Sequence, residues 1–403
     1  MLTRARAEVA RIGPVTARRL AFLWAALFAT VGLHLPYFPV WLSARGLPDT
    51  MIALVLAAPM ILRVAIGPLV ATVADTCGIA ATLAFCTWIM FAGYAALGFV
   101  SELWAIVGLS ILTITAQTST PSLADALTLT EARRLEQLGL HRLDYGRVRV
   151  FGSISALAMM LLSGAVVLVF PGQRIIWALA LIALVPAIAG LLVTLRGRPL
   201  RLVKMQTGLG LMADHKELPL ALLVIASAAL AQASHAEIYS FGTLHWRAIG
   251  LPASFIGLVW AAGVACECLF FFTAGRLLGG ERNAASFLVL GAAGALLRWV
   301  AMSFDPPPLL LLALQSLHAL TFAATYTGSV LILGRLAGPR HRARMQGWLA
   351  AASALTMAGA TLAAGRLTSL YGEHAYLAMA GLAGASLVLA IGVAAWRQQA
   401  RHE

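Results

Sequence analysis

The chain has 403 residues, of which 61% are hydrophobic and only 11% charged. That balance cannot clothe a water-soluble domain in polar side chains, and it would leave far too much apolar surface bare in a disordered one. The 29 Lys and Arg against 16 Asp and Glu give a net charge of +13, which raises nucleic acid as a partner until the placement of the charges is read.

The basic N-terminus runs straight into a full-length apolar span, with no small-residue cleavage site after a short core, and is expected to be retained. Apolar runs then predict helices at about 20–42, 50–74, 79–100, 103–127, 146–170 and 173–195 in the first half of the chain. In the second half they fall at about 219–244, 253–275, 284–303, 308–333, 345–368 and 374–396. Each is long enough to cross roughly 30 Å of hydrocarbon at about 1.5 Å per residue. The connections are mostly short and carry Gly, Pro or charge, as in Gly46-Leu47-Pro48-Asp49, Pro171-Gly172, Gly279-Gly280-Glu281-Arg282 and Asp305-Pro306-Pro307-Pro308. A membrane barrel would instead alternate polar and apolar residues in segments of about ten. The chain reads as an all-α membrane protein with twelve transmembrane helices.

Charge tests that count. With twelve spans and both ends on one side, Arg45, Arg174, Arg247 and Arg366 fall on the opposite side and Arg63 and Arg298 fall inside spans. Every other basic residue lies with the termini, including Arg4, Arg133, Arg147, Arg196, Lys204, Arg282 and Arg342. The positive-inside rule therefore makes both termini cytoplasmic. The surplus charge is an orientation signal facing anionic lipid, and nucleic acid is not expected as a partner.

The longest polar stretch between spans, 196–218, divides the sequence into a bundle over 1–195, a central cytoplasmic loop and a bundle over 219–403. An internal repeat supports the division. Gly46-Leu47-Pro48-Asp49-Thr50-Met51-Ile52-Ala53-Leu54 is similar to Gly250-Leu251-Pro252-Ala253-Ser254-Phe255-Ile256-Gly257-Leu258 at a constant offset. Two pseudo-symmetric six-helix bundles are the layout of secondary transporters of the major facilitator type.

Ionisable groups deep in lipid cost at least a few kcal/mol and need a reason to be there. They are His34, Arg63, His235, Glu237, Glu267, Arg298 and His318, with Asp125 late in the fourth span and Arg149 early in the fifth. The repeat places Arg63 and Glu267 at equivalent positions of the two halves, where both are expected to face a chamber between the bundles. An apolar wall destabilises the charged form of a carboxylate, which suits Glu267 to taking up and releasing a proton, with Arg298 modulating it. The alternative is an ion pair that only fixes helix packing. His235 and His318 relay protons, hydrogen-bond a substrate or simply pack; His34 is a substrate-binding candidate with the same packing alternative. Glu237, two residues beyond His235, is a further proton-coupling candidate, but should face away from His235 and sit nearer the outer end of its helix, where water can reach.

Cys266-Glu267-Cys268 has no further thiolate or histidine at ligand spacing, so no metal and no cofactor are expected. The Ala- and Gly-rich runs of the last helices suit close helix packing. Trp41, Trp104, Trp246 and Trp396 read as interfacial anchors, while Trp260 and Trp299 sit deeper, where Trp260 suits stacking on a substrate ring. No nucleophile with its base stands at credible spacing, which argues against an enzyme.

Asp144-Tyr145-Gly146-Arg147-Val148-Arg149-Val150-Phe151-Gly152-Ser153 resembles the opening of the fifth helix in phenylpropionate permeases and, more distantly, lactose permease. Ser234-His235-Ala236, Gly257-Leu258-Val259-Trp260, Gly263-Val264-Ala265-Cys266-Glu267, Leu297-Arg298-Trp299, Leu317-His318-Ala319-Leu320-Thr321-Phe322 and Pro36-Tyr37-Phe38-Pro39-Val40-Trp41-Leu42 extend the resemblance over nearly the whole chain. It implies proton-coupled uptake of a small organic solute through a bacterial-type inner membrane by a monomer. It also implies Asp125 and Arg149, with Arg63, as substrate contacts and Glu267, Arg298 and His318 as coupling residues. Thr321 stands where the lactose permease pattern has a second carboxylate, and Glu237 where the phenylpropionate branch carries an aromatic or small residue. Ala74-Asp75-Thr76-Cys77-Gly78 keeps Asp75 and Gly78 of the major facilitator loop motif without its basic residues. An aromatic carboxylate is the substrate expected; a sugar or nucleoside, or drug-type export, are the rivals.

Overall fold

The structure, a computed structural model, describes residues 2–137, 139, 143–196, 217–277 and 283–399. Most of the central loop expected at 196–218, and Arg142, Arg198, Arg201, Lys204, Lys216, Arg282 and Arg401 of the basic face, lie outside the described residues.

The described chain is helical throughout, with no strand. Helices α1 (Leu2–Ala44), α2 (Asp49–Cys77), α3 (Ile79–Leu97), α4 (Leu103–Gln137), α5 (Tyr145–Val169) and α6 (Ile175–Arg196) form the first half. The second half comprises α7 (Leu218–Ala248), α8 (Ala253–Leu277), α9 (Ala284–Met302), α10 (Pro308–Leu336), α11 (Gly338–Tyr371) and α12 (Tyr376–Gln399). Eleven segments are long and apolar enough to cross a membrane, and the last of them, Arg344–Trp396, contains both α11 and α12. These two are separated at Gly372, whose φ of 56° is easy only for glycine. Lipid is written into the outer faces: Leu309, Phe99 and Phe272 expose 81%, 79% and 69% of their surface. In water such a surface would drive association.

Two compact units emerge, one of 1–45 and 65–207, the other of 46–64 and 208–403. The grouping follows the expected halves except that Gly46–Val64, the first part of α2, belongs with the second unit. The close approach of Gly365 on α11 shows why. A Cβ there would meet Ala53 Cβ at 2.4 Å and the Asp49 carbonyl oxygen at 2.8 Å, so only hydrogen lets the two backbones touch.

Inside each unit the same packing recurs. In the first, α1 lies against α5 and α6, and α3 against α4 and α6. In the second, α7 lies against α11 and α12, and α9 against α10 and α12. The repeated turn is equally faithful: Gly46 and Gly250 take φ of 83° and 86°, and the Pro48 and Pro252 carbonyls accept from Ile52 N at 3.0 Å and Ile256 N at 3.1 Å to start the next helix. Gly78, with φ of 97°, closes the short turn into α3 beside Asp75, one of whose carboxylate oxygens is buried without a hydrogen bond. The apolar core of the first unit gathers Leu20, Leu23, Trp24, Leu83, Leu123 and Leu127; that of the second gathers Leu220, Val224, Leu288, Ile332, Leu349 and Val393.

Two of the tryptophans expected at interfaces are in fact interior. Trp41 is fully buried and donates to the Gln173 carbonyl at 3.1 Å, and Trp246 packs edge-on against Trp260 at 6.1 Å. Trp104 and Trp396 are exposed, as lipid-facing anchors should be.

Candidate functional site

The densest polar cluster lies in the second unit, where α7, α8, α9 and α10 each contribute. Two of these helices are interrupted there. α7 passes through a π-turn at Ile238–Gly242 and α10 through another at Ala319–Ala324. A π-turn leaves backbone carbonyls without their usual partner, a serious defect in lipid unless side chains take over. Here the Thr325 hydroxyl reaches the Thr321 and Phe322 carbonyls at 2.8 and 2.9 Å, and Gln232 on α7 donates to the Phe322 carbonyl at 3.4 Å.

Arg298 on α9 is only 2% exposed. Its Nη2 donates to Gln315 Oε1, and its Nη1 donates to Thr321 Oγ1 at 3.2 Å and approaches His318 Nδ1 at 3.4 Å. Its guanidinium also lies over the Trp299 ring at 4.6 Å. Because His318 Nδ1 accepts, its hydrogen sits on Nε2, which faces Glu267 Oε2 at 3.4 Å. On the other branch, His235 places Nδ1 3.1 Å from the Ala231 carbonyl, so this nitrogen donates, and its Nε2 accepts from the Thr321 hydroxyl at 2.9 Å. The inventory of hydrogens closes with Arg298 charged, both imidazoles neutral and Glu267 Oε2 accepting from His318. Two donors are left over: Arg298 Nε and Gln315 Nε2 are buried without an acceptor. No carboxylate lies within ion-pair distance of Arg298 among the described residues; His318 links it to Glu267.

Aromatic rings frame this network. Tyr239 stacks on Trp260 at 6.1 Å, His318 on Phe322 at 5.2 Å, and Trp299 on Tyr376 at 5.9 Å. The Trp260 indole donates to Thr243 at 2.8 Å and the Trp299 indole to Ser234 at 2.8 Å, which fixes both rings.

In the first unit, Arg149 on α5 pairs with Asp125 on α4, Nε to Oδ1 at 3.9 Å, and Tyr145 donates to the same oxygen at 2.5 Å. The guanidinium lies over Trp24 at 4.4 Å and Phe28 at 4.7 Å. The Trp24 indole is anchored by Thr128 at 3.1 Å. Further along α1, His34 stacks on Phe38 at 4.7 Å, its Nδ1 lies 2.7 Å from the Tyr94 hydroxyl, and that hydroxyl donates to Gln117.

The sequence-predicted residues therefore sort into groups. Glu267, Arg298, His318 and His235 form one connected network; Asp125 and Arg149 form a second; His34 belongs to a third; Trp260 walls the first. Arg63 is exposed rather than buried, and its position gives it no carboxylate among the described residues, so the packing ion pair with Glu267 does not form. Glu237 is 3% exposed, not water-reachable, and is bonded to Thr368 instead. Thr321 as a junction, and Gln315, Gln117, Tyr94, Trp24 and Phe28 altogether, were not singled out by the sequence. Thr321 carried a signal nonetheless: it replaces an expected carboxylate, and the structure makes it the junction of Arg298 and His235. Cys266 and Cys268 are not joined in a disulfide, and no group of metal ligands exists among the described residues.

Membrane-crossing helices in two units that repeat one packing scheme, with charged groups sunk among them, define a secondary transporter of the major facilitator type, a multi-pass membrane protein rather than an enzyme. The model of the "MFS_1 like family" matches residues 17–377, and the chain belongs to that family. It is 27% identical over 371 residues to the "Probable 3-phenylpropionic acid transporter" of Escherichia coli (strain K12), covering 90% of this chain and 94% of that one. Among solved structures, the nucleoside transporter NupG superposes with a TM-score of 0.76 at 18% identity, over 94% of this chain and 98% of that one. A bacterial homologue of the human lysosomal transporter Spinster does so with a TM-score of 0.69 at 15% identity, over 94% and 95%. These structural likenesses establish the fold.

Proposed function

We propose that the protein is a proton-coupled symporter that brings an aromatic carboxylate, of the phenylpropionate kind, inward across a bacterial inner membrane by alternating access, as a monomer with both termini cytoplasmic. The observation that carries this reading is the buried Arg298, which has no ion-paired carboxylate among the described residues and reaches Glu267 through a neutral His318. Protonation of Glu267 removes the balancing charge and leaves the network with an uncompensated cation, which is costly in a dry interior. An incoming carboxylate restores neutrality, and Arg298 Nε and Gln315 Nε2 are donors with no acceptor to lose. Proton and anion thus favour each other's binding, which is the thermodynamic content of symport. The Tyr239, Trp260 and Phe322 rings suit the apolar body of such a substrate. Arg149, Asp125 and His34 are the contacts proposed for the first unit, Arg63 an electrostatic attractor for the anion, and Asp75 with Gly78 a hinge of the α2–α3 turn.

The test uses purified protein in proteoliposomes, with labelled 3-phenylpropionate and an imposed inward proton gradient. Wild type accumulates the acid, whereas Glu267→Gln brings it only to equilibrium while retaining exchange across an equilibrated membrane. Gradient-driven accumulation by Glu267→Gln would remove that residue from coupling. Binding of nucleosides but not aromatic acids in a thermal-shift screen would overturn the substrate class.

A further inference from the structure

Glu237 plays no part in the network around Arg298, and its surroundings differ in kind. It is 3% exposed, and its polar contact among the described residues is one hydroxyl, Thr368 Oγ1, at 2.8 Å from Oε1 and 3.0 Å from Oε2. That hydroxyl owns a single hydrogen, and the Ala364 carbonyl one turn back on α11 lies at 2.8 Å as a competing acceptor. If the hydrogen serves Ala364, the bond between Glu237 and Thr368 needs a hydrogen from the carboxyl itself. An ionised Glu237 would instead have one shared hydrogen to hold a full negative charge in an apolar interior, which is strongly unfavourable.

Three neighbours bear on the choice. Asp49, at the start of α2, is close enough to repel a charge on Glu237. Tyr376, at the start of α12, is 2% exposed and interacts electrostatically with Glu237, and its hydroxyl has no hydrogen-bond partner among the described residues. It makes no hydrogen bond to Glu237, as fits a neutral carboxylic acid already held by Thr368. His245 on α7 is engaged by Asp305 at 2.5 Å, His374 by the Ser303 carbonyl at 3.1 Å, and Arg366 on α11 is exposed, so no cation among the described residues offsets Glu237.

We propose that Glu237 is a second proton-binding site of this protein, separate from Glu267: a neutral carboxylic acid that donates to Thr368 and pins α7 to α11, and whose ionisation withdraws the pin. The pin sits beside a close helix approach. Glu237 leads directly into the π-turn at Ile238–Gly242, the Tyr376 hydroxyl lies against Gly242, and three residues before Thr368 comes Gly365, where α11 touches α2. Ionisation would place a charge beside Asp49 and swing it toward the free Tyr376 hydroxyl, loosening the join of α2, α7 and α11. The proposal does not rest on the coupling role given to Glu267, because neither readout below measures accumulation.

The first measurement is infrared spectroscopy of the full-length protein at neutral pH in an ester-free detergent. Wild type should show a protonated-carboxyl C=O stretch that is lost in Glu237→Gln and kept in Glu267→Gln. Absence of the band from wild type, or its persistence in Glu237→Gln, overturns the proposal. The second is hydrogen–deuterium exchange of the peptides spanning 49–53, 238–245 and 364–371, corrected for intrinsic rates. On raising the pH, wild type should lose protection by about tenfold or more, while Glu237→Gln, which keeps a neutral donor, should change less than about twofold. Thr368→Val should be unprotected at every pH. An identical pH response in wild type and Glu237→Gln would show that the proton does not hold the helices together.

Discussion

The two charged sites solve the problem of an ion in a membrane protein in opposite ways. In the first unit Arg149 and Asp125 meet directly, and their side chains remain 34% and 39% exposed. In the second, Arg298 is almost wholly enclosed, and its carboxylate lies one imidazole away. A direct pair with water at hand is forgiving, because either partner can be solvated if the other leaves. An enclosed cation whose balance runs through a neutral relay is sensitive, because a single proton on Glu267 changes the charge of the whole cluster. On the proposed reading the closed network takes both the proton and the carboxylate, and the open pair adds a more accessible contact.

The largest expected effect is at the closed site. Arg298→Met keeps the volume but strips donors from Gln315, Thr321 and His318, which should abolish uptake and cost about 3–5 kcal/mol of stability. Denaturant titration of the detergent-solubilised protein reads the stability. A loss under about 1 kcal/mol would mean that the network is not held together by its cation. Next comes Thr321→Val, which preserves shape and removes the hydroxyl joining Arg298 to His235. With His235 Nε2 left unpaired in the interior, a cost of roughly 1–3 kcal/mol and a shifted pH profile of uptake are expected. An unaltered profile would confine Thr321 to packing. The smallest effect belongs to the open site. Arg149→Lys keeps the charge and loses the flat group that lies over Trp24 and Phe28, so substrate affinity should fall about fivefold to tenfold with stability little changed. Wild-type affinity would leave Arg149 a role in seating α5 alone.

Much of the fold was legible in the sequence because the solvent is a bilayer. Apolar runs of fixed minimum length, basic loops on one face and a repeated Gly-Leu-Pro turn are all one-dimensional signals. The ionisable residues Glu267, Arg298, His318 and His235 were legible too, since each is costly in lipid wherever it points. What escaped was everything that depends on how helices cross. Thr321, Gln315 and Thr368 are unremarkable in an apolar helix, where a hydroxyl can bond back to its own turn, and only packing brings them against Arg298 and Glu237. The π-turns of α7 and α10 have no periodic signature at all. Arg63 shows the limit of symmetry reasoning: its place in the repeat was right, but position along a helix does not determine what the side chain meets. His235 and Glu237, by contrast, make separate sets of contacts, as two-residue spacing on a helix requires.

The matched turns at Gly46 and Gly250 have a wider implication. Twin left-handed turns start the two following helices alike, so early positions along one have counterparts along the other. The occupants of matching sites have nonetheless parted company, an arginine here and a glutamate there. Duplication of this kind preserves addresses rather than tenants, and it lets one half specialise in chemistry while its twin continues to supply the frame.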